Sequence, residues 1–201
     1  VPYIKPGVTE RELCARLEFS MKMHGAQDVG FETILISGAK TSLLHGKPGD
    51  KKVEEGDSVL IDFGAKYNGY ISDMTRTFGV GHLSEKQKEI YNLVKEAQEI
   101  GVQNMGPGVP TSKPDAEIRK IIAKYEEYYY SGMGHGVGLD LHEEPFLGQK
   151  GTRTMLPGCV ITMEPGIYIP GWGGVRIEDT VLITENGPEK LTHFPKDLMI
   201  L

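Results

Sequence analysis

The chain has 201 residues, of which 39% are hydrophobic and 25% charged, and its formal net charge at pH 7 is −6. These values predict a single folded domain over residues 1–201, and the absence of a basic run argues against a nucleic-acid partner. No apolar run approaches the roughly 18 residues that a membrane helix needs. The two cysteines, Cys14 and Cys159, show no metal-type spacing, so we expect a cytoplasmic protein.

The first elements predicted along the chain are a capped helix, a strand and a loop. Thr9 and Glu12 form a capping-box pattern, and the helix that they start is expected to end near Gly25. Residues 31–37 have a strand-like composition, and residues 37–50 form a loop that contains His45. Because the sequence opens on Val1 rather than on a methionine, we expect a chain that lacks an N-terminal part.

A tight hairpin is predicted around Asn68 and Gly69, which lie between two strand-like runs. Folding the chain there pairs Asp62 with Thr75 and places Asp73 diagonally from Asp62 on the same face. Two buried carboxylates repel each other and lose their hydration, so such a pair indicates a shared proton or a metal ion. The alternative is a pair of exposed acids beside a turn.

A long helix predicted over residues 84–105 separates this hairpin from a second copy of the same pattern. The Pro-Gly-Val sequence of residues 6–8 recurs at 107–109, and each copy leads to an acid, Asp62 or Glu164, with a glycine six residues before it and two after it. This internal duplication, of about a hundred residues, has too long a period for a solenoid. It predicts two helix-plus-hairpin halves that face each other about a pseudo-twofold axis.

The cleft between the halves would collect four carboxylates, because a turn at residues 171–173 pairs Glu178 with Glu164. Four converging carboxylates require cations. Imidazoles are available from the glycine-flanked His135 and from His142; a phosphate-binding loop is disfavoured because no Gly-Lys-Ser/Thr sequence follows. Oxygen ligands combined with imidazole favour two divalent ions such as Mn²⁺, Co²⁺ or Zn²⁺.

Taken in order, five segments of the sequence resemble the M24 metallopeptidases: residues 61–64, 72–77, 134–143, 162–166 and 175–179. The resemblance implies the α/β pita-bread fold, in which duplicated halves enclose a dinuclear metal cleft. It also implies five metal ligands, of which the second and fifth bridge both ions: Asp62, Asp73, His135, Glu164 and Glu178.

Arg176, two residues before the last implied ligand, makes the chain similar to the proline-specific branch of this family rather than to methionine aminopeptidases. The implied function is that of an Xaa-Pro aminopeptidase acting on short peptides with proline second, and an Xaa-Pro dipeptidase is the alternative. A methionine aminopeptidase, a creatinase-like hydrolase and a non-catalytic pita-bread binding module are less favoured. Members of the branch usually carry an N-terminal domain that supports a homodimer, and many have a histidine where this sequence has Ser131.

The resemblance and the chemistry of the side chains together assign individual roles. A water that bridges two divalent ions becomes hydroxide near neutral pH and attacks the peptide carbonyl. Glu164 is expected to carry the proton to the leaving nitrogen, and His142 and His45 to stabilise the tetrahedral intermediate or to hold the substrate. Three further side chains are expected to orient the ligands: Arg176, Thr75 and Thr162. For Arg176, the alternative is an exposed surface arginine.

Overall fold

A computed structural model describes residues 1–130 and 132–201 of the chain. Its helices are α1 (Glu10–Met23), α2 (Glu85–Gln103) and α3 (Lys113–Ile121), and short 3-10 helices cover Gly38–Ser42 and Ala123–Tyr128. The strands of the first half are β1 (Asp28–Val29), β2 (Ile34–Ser37), β3 (Ser58–Phe63), β4 (Ala65–Tyr67), β5 (Tyr70–Ile71) and β6 (Met74–Gly79). Those of the second half are β7 (Gly134–Gly136), β8 (Glu143–Leu147), β9 (Val160–Met163), β10 (Gly166–Ile169), β11 (Gly173–Arg176), β12 (Asp179–Thr184) and β13 (Gly187–Lys190).

The first predicted hairpin is confirmed in its register. Strand β3 lies between β2 and β6 in an antiparallel sheet, and Asp62 faces Thr75. The same register continues through β4 and β5 to the turn, where Asn68 and Gly69 adopt φ angles of 48° and 85°. A tight hairpin turn requires these positive φ values, which explains the Asn-Gly pair.

The second predicted hairpin is confirmed as well. Strands β9 and β12 pair within a five-stranded sheet of order β13-β12-β9-β7-β8, and β10 and β11 extend the pairing toward the turn. Met163 faces Asp179 and Gly166 faces Arg176. These two pairs bracket Glu164 and Glu178, so the two acids lie opposite each other.

Equivalent hydrogen bonds in the two halves bear out the duplication. The N–H of Gly7 donates to the carbonyl of Val53 over 2.9 Å, and that of Gly108 donates to the carbonyl of Met155 over 2.8 Å. Gly7 and Gly108 both have positive φ, 92° and 77°. Each Pro-Gly-Val sequence therefore forms the same turn, which fastens the start of its half to the segment leading into the acid-bearing strand.

Helix α2 connects the halves and packs its buried face into the larger of the hydrophobic cores. Ser84 and Gln87 form a capping box at its start. Ile90, Val94 and Ala97 are buried as predicted, whereas Leu93 and Ile100, which continue the apolar spacing, are only partly buried. No helix in the described part of the chain is long and apolar enough to cross a membrane.

The structure differs from the sequence prediction in several stretches. The predicted loop over residues 37–50 contains a 3-10 helix at Gly38–Ser42. The strand expected over residues 31–37 begins only at Ile34, because the chain passes here from pairing with β4 to pairing with β3. Strand β8 was not predicted. Its sequence contains two acids and Pro145, but β8 is the edge strand of its sheet, where proline and charged side chains are tolerated.

Gly64 allows the close approach that sets the first pair of acids, and Gly64→Ala is expected to destabilise the protein by about 2 kcal/mol. A Cβ at position 64 would lie 1.9 Å from the backbone oxygen of Ser72 and 2.7 Å from the ring of Phe31. Urea unfolding measures the effect. Gly106→Ala is the matched control, because its Cβ would meet only ordinary contacts; equal stability of the two variants would contradict the packing argument.

Candidate metal centre

Three buried carboxylates converge where the two hairpins meet. Asp62 is the last residue but one of β3, Asp73 directly precedes β6, and Glu178 lies between β11 and β12. One carboxylate oxygen from each lies within 4.8 Å of the other two. All three residues are less than 9% exposed, so little water is available to screen their charges.

The electrostatics of this cluster favour a bound cation. Burial raises the pKa of Asp62, and burial followed by the charge of Asp62 raises the pKa of Asp73 well above its usual range. The pKa of Glu178 is raised well above its usual range by burial and then by the charge of Asp73. Oδ1 of Asp62 and Oε1 of Glu178 are buried without a hydrogen-bond partner among the described residues. Unpartnered buried oxygens beside crowded carboxylates fit divalent ions.

His135 and Glu164 complete the centre from the second half. Nε2 of His135 lies 3.2 Å from Oε1 of Glu164 and 3.7 Å from Oδ2 of Asp73. Nδ1 of the same ring lies 3.0 Å from the carbonyl oxygen of Gly136. Because a carbonyl oxygen can only accept, Nδ1 carries a proton and donates to it. Burial acts to lower the pKa of His135, but the hydrogen bond and charge of Glu164 outweigh burial and raise it, which favours a ring whose Nε2–H donates to Glu164.

The pKa of Glu164 is shifted in the opposite direction from those of the other acids. Burial acts to raise this pKa, but the hydrogen bond and charge of His135 outweigh burial, and the pKa lies below its usual value. The partners of Glu164 in the centre therefore favour its ionised form, whereas those of Asp73 and Glu178 favour the protonated form in the absence of a cation.

Hydrogen bonds from the three residues expected to orient the ligands reach three different acids. Nη2 of Arg176 lies 2.6 Å from Oδ2 of Asp62. The hydroxyl of Thr75 donates to Glu178 over 2.6 Å, and the hydroxyl of Thr162 donates to Glu164 over 3.1 Å. Thr162 also accepts the backbone N–H of His135 over 3.0 Å. Arg176 is 3% exposed, so the surface-arginine alternative is wrong.

Two side chains of the centre were missed by the sequence analysis. The hydroxyl of Tyr168 accepts from Arg176 over 3.0 Å, and its ring fits against Gly174, whose missing side chain leaves the room. Arg76, on the opposite face of β6 from Thr75, donates to the backbone carbonyl of Glu178 and to Asp179. The period of two along β10 places Tyr168 on the face of Glu164 and is a pattern that could have identified it.

A cavity of about 520 Å³ opens onto the acids. His45 and His142 line it, and the ring of His142 packs edge-on against that of His135 with a centroid distance of 4.4 Å. Burial and then the charge of His135 lower the pKa of His142. Ser131, where many members of the proline-specific branch have a histidine, lies outside the described residues.

Removing the positive charge of Arg176 is expected to destabilise the metal-free protein by about 3–5 kcal/mol, because Arg176→Met leaves Asp62 buried without its ion-pair partner. Arg176→Lys keeps the charge and is expected to lose less. Chemical denaturation measures both variants in the presence of a chelator. A loss below about 1 kcal/mol for Arg176→Met would show that the pair does not support the site.

Comparison with known proteins identifies the protein family to which this fold and acid cluster belong. A sequence model of metallopeptidase family M24 matches residues 1–185, and the chain belongs to this family. The recognition made from the five sequence segments is thereby confirmed.

Several relatives are named as proline-specific peptidases. An Xaa-Pro dipeptidase of Pyrococcus furiosus is 50% identical over 198 residues, which are 98% of this chain and 57% of that protein. The structure of an Xaa-Pro dipeptidase from Bacillus anthracis superposes with a TM-score of 0.97 at 47% identity, covering 100% of this chain and 57% of the other. An X-Pro aminopeptidase from Thermotoga maritima superposes with a TM-score of 0.96 at 40% identity, covering 100% and 57%.

These superpositions confirm the predicted pita-bread fold. They also show that the chain spans a little more than half the length of the relatives that it matches.

Proposed function

We propose that the chain carries the catalytic centre of an Xaa-Pro dipeptidase, which hydrolyses the bond before proline in a dipeptide. The observation that carries the proposal is the convergence of Asp62, Asp73 and Glu178 beside the His135–Glu164 pair in a chain that is 50% identical to a protein named Xaa-Pro dipeptidase. The function predicted first from the sequence is the aminopeptidase, and the names of the relatives favour its alternative, the dipeptidase.

The five proposed metal ligands are those implied by the sequence: Asp62, Asp73, His135, Glu164 and Glu178. Their donor set of carboxylates with one imidazole fits two ions of the Mn²⁺, Co²⁺ or Zn²⁺ type. When bound, such ions supply Lewis acidity and lower the pKa of a coordinated water toward 7. The unpartnered oxygens of Asp62 and Glu178 support this assignment.

Glu164 is the proposed proton carrier of the reaction. It accepts a proton from the attacking water and delivers it to the proline nitrogen when the peptide bond breaks. Its hydrogen bond from Thr162 and its contact with His135 hold the carboxylate in place. A carboxylate whose ionised form is favoured by its partners is available to accept that proton at neutral pH.

The substrate would bind in the cavity in front of the acids. The bond before proline has no amide N–H to be gripped, so the substrate must be held through its ends, its ring and its carbonyl. Apolar side chains on the cavity wall, among them Phe31, Ile34 and Phe146, suit a proline ring. His142 and His45, which line the same cavity, are proposed to donate to the oxygen of the carbonyl under attack.

A second candidate function is that of an Xaa-Pro aminopeptidase, which the superposition on the Thermotoga maritima structure favours. The two functions differ in the length of the peptide that is cleaved. Hydrolysis of Ala-Pro is therefore compared with that of Ala-Pro-Ala, with Mn²⁺ added and with a chelator as control. Chelator-sensitive cleavage of Ala-Pro alone supports the dipeptidase, cleavage of Ala-Pro-Ala supports the aminopeptidase, and cleavage of neither overturns both.

A further inference from the structure

We propose that Lys47 binds the free carboxylate of the dipeptide and so gives the site its preference for dipeptides; this inference rests on the proposed function. A dipeptide differs from a longer peptide with the same first two residues by the carboxylate on its proline. A site that selects dipeptides must stabilise that charge once the cavity removes part of its hydration, and a cationic side chain does so through a charge-assisted hydrogen bond.

The cavity offers few cations for this purpose. Among the described residues that line it, two side chains carry a permanent positive charge at neutral pH, Lys47 and Arg176. Arg176 is buried, and its guanidinium already donates to Asp62, Thr75 and Tyr168. A substrate carboxylate that took Arg176 would leave Asp62 unpaired. Lys47 is therefore the cation that is available to a ligand.

The present partner of Lys47 is one that a ligand can replace. Nζ of Lys47 lies 2.9 Å from Oε2 of Glu32, and the two side chains are 73% and 67% exposed. Ion pairs with this exposure contribute little to stability, so exchanging one carboxylate for another costs little. Glu32 lines the same cavity, so a ligand carboxylate that binds there would compete with Glu32 for Lys47.

The backbone at Lys47 is linked through Lys40 to the buried carboxylate of Glu10, so the position from which the Lys47 side chain extends is fixed. Nζ of Lys40 lies 2.6 Å from the carbonyl oxygen of Lys47 and 2.6 Å from Oε2 of Glu10. Glu10 is fully buried and also accepts the backbone N–H groups of Ser37 and Gly49. The loop that presents Lys47 and His45 is thus anchored at both ends to one carboxylate.

Calorimetry on the metal-loaded protein tests the proposal independently of turnover. The probes are Ala-Pro with a reduced peptide bond, as the free acid and as the C-terminal amide. The acid is expected to bind wild type about tenfold more tightly than the amide, the usual size of one charge-assisted hydrogen bond. Lys47→Met is expected to bring the ratio to about one, and Glu32→Gln, which removes the competing carboxylate, is expected to increase it.

Lys190→Met is the matched control, because Lys190 is exposed on β13 and does not line the cavity; the wild-type ratio is expected there. If the ion pair had only a structural role, Lys47→Met and Glu32→Gln would change the acid-to-amide affinity ratio in the same direction. That result would overturn the proposal. So would a ratio unchanged in Lys47→Met, a wild-type ratio near one, or no binding of either probe. Failure of the dipeptidase function appears separately, as cleavage of Ala-Pro-Ala in the hydrolysis assay.

Discussion

Glu164→Gln is expected to lower kcat for an Xaa-Pro substrate by about a thousandfold, within the range that general acid–base catalysis contributes. The substitution keeps the size of the side chain and its hydrogen-bonding reach toward Thr162, but glutamine cannot accept the proton of the attacking water. It also replaces one proposed ligand oxygen by an amide. Steady-state kinetics with saturating Mn²⁺ measure the loss.

Two measurements separate this effect from unfolding. Glu164→Gln is expected to unfold cooperatively with the urea slope of wild type and at a somewhat lower midpoint, because the variant creates no cavity but gives up a carboxylate whose ionised form is favoured by His135. Glu189→Gln is the matched control, since Glu189 is exposed on β13, and it is expected to keep full activity. Turnover within a few-fold of wild type in Glu164→Gln would remove Glu164 from the proton path.

Asp73→Asn is expected to weaken metal binding by more than about a hundredfold, because loss of an outer-shell partner alone costs ten- to a hundredfold. Asp73 is near the middle of the cluster: it lies close to Asp62 and Glu178, and Nε2 of His135 is 3.7 Å from its Oδ2. The resemblance assigns it to a position that bridges both ions. Metal analysis after gel filtration is expected to find at most one ion per chain.

The same substitution is expected to have the opposite effect on the metal-free protein. Without a cation, Asp73 is buried among carboxylates that raise its pKa, so an uncharged asparagine relieves repulsion and raises the melting temperature in chelator. Asp50→Asn, at an exposed acid, is the matched control. It should change neither the metal affinity nor the melting temperature of the metal-free protein. A lower melting temperature for metal-free Asp73→Asn would argue that Asp73 is structural rather than a ligand held ready for a cation.

Local sequence chemistry was sufficient to predict the two hairpins and their registers. Asn68 and Gly69 fix one turn, and the side-chain period of two then determines which residues face Asp62. The repeated Pro-Gly-Val sequences identified the duplication, which no single motif would have indicated. These features depend on neighbours along the chain or on a simple repeat, and the structure reproduces them.

The residues that sequence reasoning missed depend on side-chain contacts, between the two halves for Arg76 and within the second hairpin for Tyr168. Arg76 reaches Asp179 on the other hairpin, and Tyr168 reaches Arg176 only because Gly174 leaves room for its ring. The pairing of Lys47 with Glu32 at the cavity follows from the path of an irregular loop, for which sequence supplies no period. The choice between dipeptidase and aminopeptidase likewise depends on side chains that line the cavity, such as Lys47, and the metal-ligand motifs do not include them.

The central claim is that the four carboxylates and His135 form a dinuclear centre, and titration of the metal-free protein with Mn²⁺ tests it most directly. Calorimetry combined with metal analysis is expected to give two bound ions per chain for wild type, with at least one of them lost in Asp73→Asn. Wild-type protein that binds no Mn²⁺, Co²⁺ or Zn²⁺ while remaining folded would contradict the account.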